Sequence, residues 1–341
     1  MSIVKVAKIA GVSHSTVSRV INNRGGVSKD TIGQVERAMK KMGFVPRPRN
    51  ARPGPRVKDE TGINAGQLML LYSYINETTA NSSPATMLLV RGIQSALTEM
   101  GMNMLVGFVD EDTKMPPALG NGAVDGIILV GNDPPRSLNK VLKKHTIVGV
   151  FSNLQRFWGD CVHIDNEALC QIAVKYLLSR GHRHVALLDI YPQRHVNTVR
   201  AELFCKEANR VGLTAQIILS DSEVIDQSGH AIDFVFDTKN LVDRLFEFSP
   251  VPTGLFIPGD MFISSLYQEL IVRKAQFDDN FDIVTVNQHR PSLRDLDPCP
   301  VIIDCKPDYI GSRACHQLLW RLRHLDDPQQ TILVKPSPLC V

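Results

Sequence analysis

Apolar residues near the start of the chain recur with helical spacing. Ile3, Val6, Ala7 and Ala10 fall at i, i+3, i+4 and i+7, one face of a first helix. Gly11 follows, and a residue without a β-carbon tolerates the left-handed backbone that ends a helix. Ser13 stands at an N-cap position, where its hydroxyl can accept an orphan amide hydrogen. A second helix follows with Val17, Val20 and Ile21 inward and His14, Ser15, Thr16, Ser18 and Arg19 on or near its other face. A third begins at Ser28–Thr31, turns Ile32, Val35, Ala38, Met39 and Met42 inward, and stops at Gly43.

From Gln67 onward the pattern changes. Short apolar runs of β type alternate with helix-period stretches. The predicted strands are 68–74, 104–109, 126–130, 146–151, 184–190, 215–219, 254–257, 282–286 and 301–305. Predicted helices include 87–100, 166–180, 201–211, 261–273 and 309–324. Such alternation predicts parallel sheets covered on both faces, and so long a stretch is more natural as two doubly wound lobes than as one sheet.

Charge divides the chain at the same place. Residues 1–60 hold 13 Lys and Arg against 4 Asp and Glu, a net of +9, while the remainder holds 25 against 31, a net of −6. A basic head on an acidic body is the distribution of a phosphate-binding module attached to a domain with another task. The first two helices are joined by too short a turn to lie antiparallel. They must cross, so the second projects and can enter a major groove about 12 Å wide. No apolar run reaches the ~18 residues of a membrane span, and no signal peptide opens the chain, so a cytoplasmic, nucleoid-associated protein with no membrane partner is expected. The seven cysteines, none in Cys-x-x-Cys spacing, read as reduced, buried thiols.

The head resembles the helix-turn-helix of the lactose-repressor (LacI/GalR) family of transcription regulators. The resemblance rests on Val6-Ala7, Ala10–Ser13, Thr16–Val20, Asn22, Val27-Ser28, Thr31, Val35 and Gly43-Phe44-x-Pro46. It implies that His14 and Ser15 set base preference and that Arg19 reaches a base edge, where its fork suits guanine. Thr16, Ser18 and Asn23 would contact phosphates, which position without specifying. Lys5 departs from the family pattern, which has Asp there.

A larger departure follows. The family has a hinge helix whose Leu wedges into the minor groove. Here residues 46–56 read Pro-Arg-Pro-Arg-Asn-Ala-Arg-Pro-Gly-Pro-Arg, which forbids an α-helix and offers no Leu. Two readings stand: a stiff extended linker, or an arm that inserts Arg47, Arg49, Arg52 and Arg56 into an A/T-rich minor groove.

Over the body the resemblance is weaker. It is carried by Val124–Leu129, Val162–Asn166 with Gly181–Val185, Pro252–Phe256 and Ile310-Gly311-x-x-Ala314. It implies a periplasmic-binding-protein-like body of two doubly wound parallel sheets, behind an all-α helix-turn-helix. The expected organisation is a module at 1–46, a linker or arm at 47–66 and a body at 67–341. Lobe 1 would take about 67–162 and 306–325, and lobe 2 about 163–305 and 330–341. Crossings between lobes are expected near 162–165, 304–307 and 325–330. The cleft between lobes would hold a small effector, sugar or nucleoside-like. By resemblance Arg200 and Asp260 would bind it, with Asn287 where the family has Asp and Gly259 where it has Asn. Phe151, Phe157 and Trp158 would supply apolar or stacking contacts, and Tyr74, Asn76 and Glu77 lie on the first cleft loop.

The histidines of His182-Arg183-His184 and His163 lack a third ligand nearby, so no metal is expected. No nucleophile motif, phosphate loop or dinucleotide glycine pattern is present, and neither catalytic residues nor a cofactor are expected. The sequence thus predicts a DNA-binding repressor that binds a near-palindromic operator as a homodimer and answers to a small molecule. Its rivals are an architectural binder of A/T-rich minor grooves and a solute-binding protein.

Overall fold

The computed structural model describes residues 3–21, 26–44, 63–113, 115–151, 157–190, 195–220, 238–259, 262–273, 281–286, 296 and 299–338. The chain divides into two compact units, Met1–Val57 and Lys58–Val341.

The first unit holds α1 (Ile3–Ala10), α2 (His14–Ile21) and α3 (Lys29–Lys41). Val6, Ala7, Val17, Val35 and Ala38 are its buried core, with Val20, Ile21, Met39 and Met42 packed around them. Gly11 has φ 66°, the left-handed backbone its place after α1 requires. Ser13 Oγ accepts from the Thr16 amide at 3.1 Å, and Ser28 Oγ accepts from the Thr31 amide at the start of α3.

The second unit contains two six-stranded sheets. Lobe 1 is built on β1 (Gln67–Ser73), β2 (Asn103–Val109), β3 (Gly126–Gly131), β4 (Thr146–Val150), β5 (Asp160–Ile164) and β11 (Thr331–Val334), in the order β11-β5-β4-β3-β1-β2. Every pairing is parallel. Lobe 2 is built on β6 (His184–Asp189), β7 (Thr214–Leu219), β8 (Gly254–Ile257), β9 (Asp282–Val286), β10 (Val301–Asp304) and β12 (Ser337–Pro338), in the order β12-β10-β9-β8-β6-β7. Only β12 runs antiparallel.

Alternate strand residues face opposite helical layers. In lobe 1, Leu68, Leu70 and Tyr72 pack with α5 (Pro84–Glu99) and α12 (Pro307–Arg323), which follows α4 (Glu77–Ser82) to α11 in chain order. Met69 and Leu71 pack with α6 (Pro117–Gly120) and α7 (Asn139–Leu142) on the other face. In lobe 2, α8 (Asn166–Ser179) and α9 (His195–Arg210) cover one face, and α10 (Thr238–Leu245) and α11 (Ile263–Val272) the other. Helix α5 approaches α12 so closely that a Cβ on Gly92 would overlap the Asp308 carbonyl, and one on Gly311 the Leu89 carbonyl.

The chain passes between sheets after β5, after β10 and after β11. The third passage corrects the sequence expectation of 325–330. Thr331–Val334 pairs with Cys161–Ile164 and keeps the chain in lobe 1 for one further strand, so the passage falls at Lys335–Pro336.

Candidate nucleic-acid interface and cleft

Helix α2 is short and two-sided. Val17 is fully buried, whereas His14, Ser15 and Arg19 are exposed and Thr16 and Ser18 half-buried. Ser13 Oγ lies 2.7 Å from Ser15 Oγ and 2.8 Å from Thr16 Oγ1, a hydroxyl cluster at the amino end of the helix. Such an end carries free amide hydrogens and the positive end of the helix dipole, both suited to phosphate. One exposed helical face thus holds a guanidinium, an imidazole and hydroxyls on a rigid three-helix core. Asn23, Arg47, Arg49, Arg52 and Arg56 lie outside the described residues.

In the body, the three passages place the carboxyl ends of β5, β10 and β11 where the chain leaves one sheet for the other. The Asp165 amide donates to Val334 O at 2.9 Å, tying the first passage to the third. Asp165 also caps α8 by accepting from the Ala168 amide. Open α/β sheets bind ligands beyond strand carboxyl ends.

Arg200 stands at this edge. It is buried; its Nε donates to Asn166 Oδ1 at 2.9 Å and its Nη1 to Pro258 O at 2.6 Å. The guanidinium therefore links the first residue of α8 to the carboxyl end of β8. One turn earlier on α9, Asn197 Nδ2 donates to Asp189 Oδ1 at 3.0 Å, at the carboxyl end of β6. The i, i+3 spacing brings Asn197 and Arg200 to one side of α9. Sequence reading missed Asp189 and Asn197, because only the α9–β6 packing joins them.

Tyr74 and Phe151 follow the carboxyl ends of β1 and β4 and have φ of 55° and 56°. Gly131, at the end of the intervening β3, has φ 105°. A left-handed backbone costs a side-chain-bearing residue about 1–2 kcal/mol, so these turns concentrate strain along one edge. The Tyr74 hydroxyl donates to Glu111 Oε1 at 2.5 Å. Partial burial, that hydrogen bond and the nearby Glu111 and Asp110 charges all raise its pKa, so Tyr74 stays a neutral donor. Glu77 begins α4, and the Asn76 carbonyl accepts from the Ala80 amide.

Trp158 corrects the expectation of a stacking platform in the cleft. It precedes β5 and lies at the amino end of the sheet, with Phe157 5.3 Å from its ring and Lys143 Nζ 5.7 Å from the ring centroid. Phe157 is buried in the α6–α7 core of lobe 1. A parallel strand separates its two ends by its whole length, and these rings stand at the wrong one. Asp260 and Asn287 lie outside the described residues. Burial pushes the Cys170 and Cys315 thiols up to about 12, so they are inert packing groups.

Among the described residues no group of three His, Cys, Asp or Glu could hold a metal ion, and no helix is long and apolar enough to cross a membrane.

These features can be set beside known proteins. Residues 2–47 match the family model described as bacterial regulatory proteins, lacI family. The ribose operon repressor of Escherichia coli (strain K12) is 25% identical over 344 residues, covering 97% of this chain and 96% of that protein. Among solved structures, a lac repressor dimer bound to operator and an anti-inducer has a TM-score of 0.63 at 18% identity, covering 100% of this chain and 98% of that one. A LacI family transcriptional regulator from Enterococcus faecium with bound ribose has a TM-score of 0.63 at 18% identity, covering 80% of this chain and 97% of that one. Residues 2–47 thus match the lacI-family DNA-binding module, and the whole chain is similar to repressors that carry it. The relatives that it matches over nearly its whole length are transcriptional repressors.

Proposed function

We propose that this regulator binds a near-palindromic operator as a homodimer, reads bases through His14, Ser15 and Arg19, and changes its grip on DNA when a sugar enters between its lobes. The observation that carries the DNA reading is α2 itself: His14, Ser15 and Arg19 exposed on one helix, with Val17 buried beneath them. Thr16, Ser18 and Asn23 serve phosphates. Two copies related by a twofold axis match two half-sites, which is why the operator should be palindromic. Selection from randomised duplexes tests this. A palindromic consensus is expected, and Arg19→Ala should lose about 1–3 kcal/mol and relax one position of it. A set of bound sequences without symmetry would overturn the homodimer reading.

Arg200 supports the effector reading, because it is buried at the carboxyl edge where both sheets meet the crossings. Full-length likeness to a ribose operon repressor favours a sugar. Tyr74 and Phe151, and by family position Asp260 and Asn287, complete the proposed site. A thermal-shift screen of pentoses, hexoses and disaccharides tests it. Ligand at 100 times Kd should add about 2.7 kcal/mol of stability. The gain should vanish in Arg200→Ala, and silence across the panel would remove the sugar reading.

For Arg47, Arg49, Arg52 and Arg56 we propose insertion into the minor groove at the operator centre. Their density where the family contacts that groove supports it. Unchanged affinity and salt slope in Arg52→Ala/Arg56→Ala would reduce the segment to a spacer.

A further inference from the structure

Residues 134–159 carry Arg136, Lys140, Lys143, Lys144 and Arg156 and not one Asp or Glu, in a body whose net charge is −6. The first four form one stripe. A 3-10 turn at Arg136–Leu138 runs into α7, so positions 136, 140, 143 and 144 fall at helical spacings of three and four. Leu138 and Leu142 face the other way and are buried in lobe 1. All four cations are exposed, and among the described residues none of them forms an ion pair. Like charges at this spacing repel one another, and the helix has no acid to offset them.

The place of the stripe gives it a meaning. Lys143 and Lys144 immediately precede β4, at the amino end of the lobe 1 sheet. The chain enters the body at the same end. Leu68 of β1 is in register with Gly126 of β3, and Gly126 with Thr146 of β4. Two strand spacings, about 10 Å, therefore separate the entry strand from the start of β4. The entry is firmly held, because Asp125 Oδ1 accepts from the amides of Asn64 and Ala65 at 2.6 and 2.7 Å and Oδ2 from Gln67 at 3.2 Å.

Among the described residues, the acids at this end are occupied or elsewhere. Asp125 is taken by those amides, and Asp160 by Arg321. Glu99 ends α5, and Asp326 and Asp327 follow α12; both helices lie on the opposite face of the sheet. Asp110, Glu111 and Asp112 follow β2 at the carboxyl end. Among the described residues the α7 side of the amino end is thus a cationic surface, on the end of the sheet where the chain enters the body.

We propose that Lys140, Lys143 and Lys144, continued by Arg136, form a second phosphate-binding surface that holds duplex flanking the operator. The partner is the sugar–phosphate backbone of double-stranded DNA, read by charge alone and without sequence preference. The proposal rests on the DNA-binding reading of the module, but not on a palindromic operator or on an effector.

The test uses the full chain and three duplexes: the selected operator cut to its minimum, the same operator with about 15 base pairs of flank on each side, and a random sequence of that longer length, since a lysine surface contacts only backbone. Binding is measured from low to moderate salt for the wild type and for Lys140→Ala/Lys143→Ala/Lys144→Ala. Each phosphate neutralised adds about 0.9 to the slope of log K against log salt. On both longer duplexes the variant should lose at least tenfold in affinity and about 2–3 in slope, and it should match the wild type on the minimal operator. Lys→Arg at all three positions should restore binding. Arg136→Ala/Lys140→Ala/Lys144→Ala, which spares the Lys143–Trp158 contact, should behave as the first variant does.

Equal affinity and slope for wild type and variant on the longer duplexes would overturn the proposal and leave the stripe to an acidic protein partner. A failed operator selection would sink the palindrome reading alone, because the random duplex still reports on the lysines.

Discussion

Arg321 and Asp160 form a two-pronged ion pair inside lobe 1, with Nη2 to Oδ1 at 2.7 Å and Nε to Oδ2 at 2.9 Å. Asp160 also accepts from Gln317 Nε2 at 2.7 Å and from the Gln330 amide at 2.9 Å. Arg321 turns its remaining donors to the carbonyls of His324, Asp327 and Pro328. One buried pair thereby fastens β5, α12 and the chain leading into β11. Removing a single member strands a charge in the interior, so Arg321→Ala should cost about 3–5 kcal/mol. Urea unfolding measures this, and a loss below about 1 kcal/mol, the worth of an exposed pair, would mean that the site is solvated.

Acid should weaken the body through two carboxylates. Burial alone would raise the Asp160 carboxyl, but hydrogen bonds from Arg321, Gln317 and the Gln330 amide, with the guanidinium charge, hold it below the ordinary range. At the start of β9, burial likewise opposes and is outweighed by hydrogen bonds from His182 and Arg180 and by their charge, which lower the Asp282 carboxyl. A depressed folded-state pKa gives stability that is present above the unfolded value, near 3.9, and lost as pH falls through the folded value. Melting temperature should therefore drop from about pH 4 downward, and less steeply in Asp282→Asn. An identical acid limb in that variant would clear Asp282 of the effect.

Glycines on two helices should respond in opposite ways to alanine. Gly33 sits inside α3 with nothing within 4 Å of an added Cβ, so Gly33→Ala should stabilise the first unit by up to about 1 kcal/mol. At Gly92 and Gly311 the Cβ would strike a backbone carbonyl across the α5–α12 contact. Either substitution there should lose about 1–3 kcal/mol or more despite better helix propensity. Calorimetry on each variant decides, and a gain at Gly92 would show that the two helices can separate freely.

Two aromatic positions should part in their effect on a sugar. Tyr74 donates a hydroxyl at the carboxyl edge, whereas Trp158 packs at the amino end of β5. Tyr74→Phe should weaken ligand binding severalfold, and Trp158→Phe should leave it unchanged. Titration calorimetry with the first sugar found in the screen makes the comparison; loss of binding only in the tryptophan variant would reverse the assignment of the two ends.

Much of this protein was legible in one dimension. The three N-terminal helices follow from the spacing of Val6, Ala7, Val17, Val35 and Ala38, because a helix repeats its buried face every three to four residues. The cap of α2 was legible too, since Ser13 bonds the amide three residues on; that Ser28 caps α3 in the same way came from the structure. Nine body strands announced themselves as short apolar runs. Those are local signals, set by backbone geometry and by the removal of apolar side chains from water.

The tertiary structure decided what joins distant positions. Asp160 and Arg321 are 161 residues apart, and no local pattern says that one will bury the other. Phe157 and Trp158 looked like ring platforms for a ligand, but composition does not reveal which end of a strand a residue occupies. Only the register of β4 and β5 places them far from the cleft edge. The short β11 was passed over although its Thr-Ile-Leu-Val is of strand type; only its pairing with β5 assigns it to lobe 1. The lysine stripe was in the sequence from the start; its proximity to the chain's entry into the body arises only when β1, β3 and β4 align. Sequence determines which faces are apolar and which are charged, and the packing of those faces determines what each one meets.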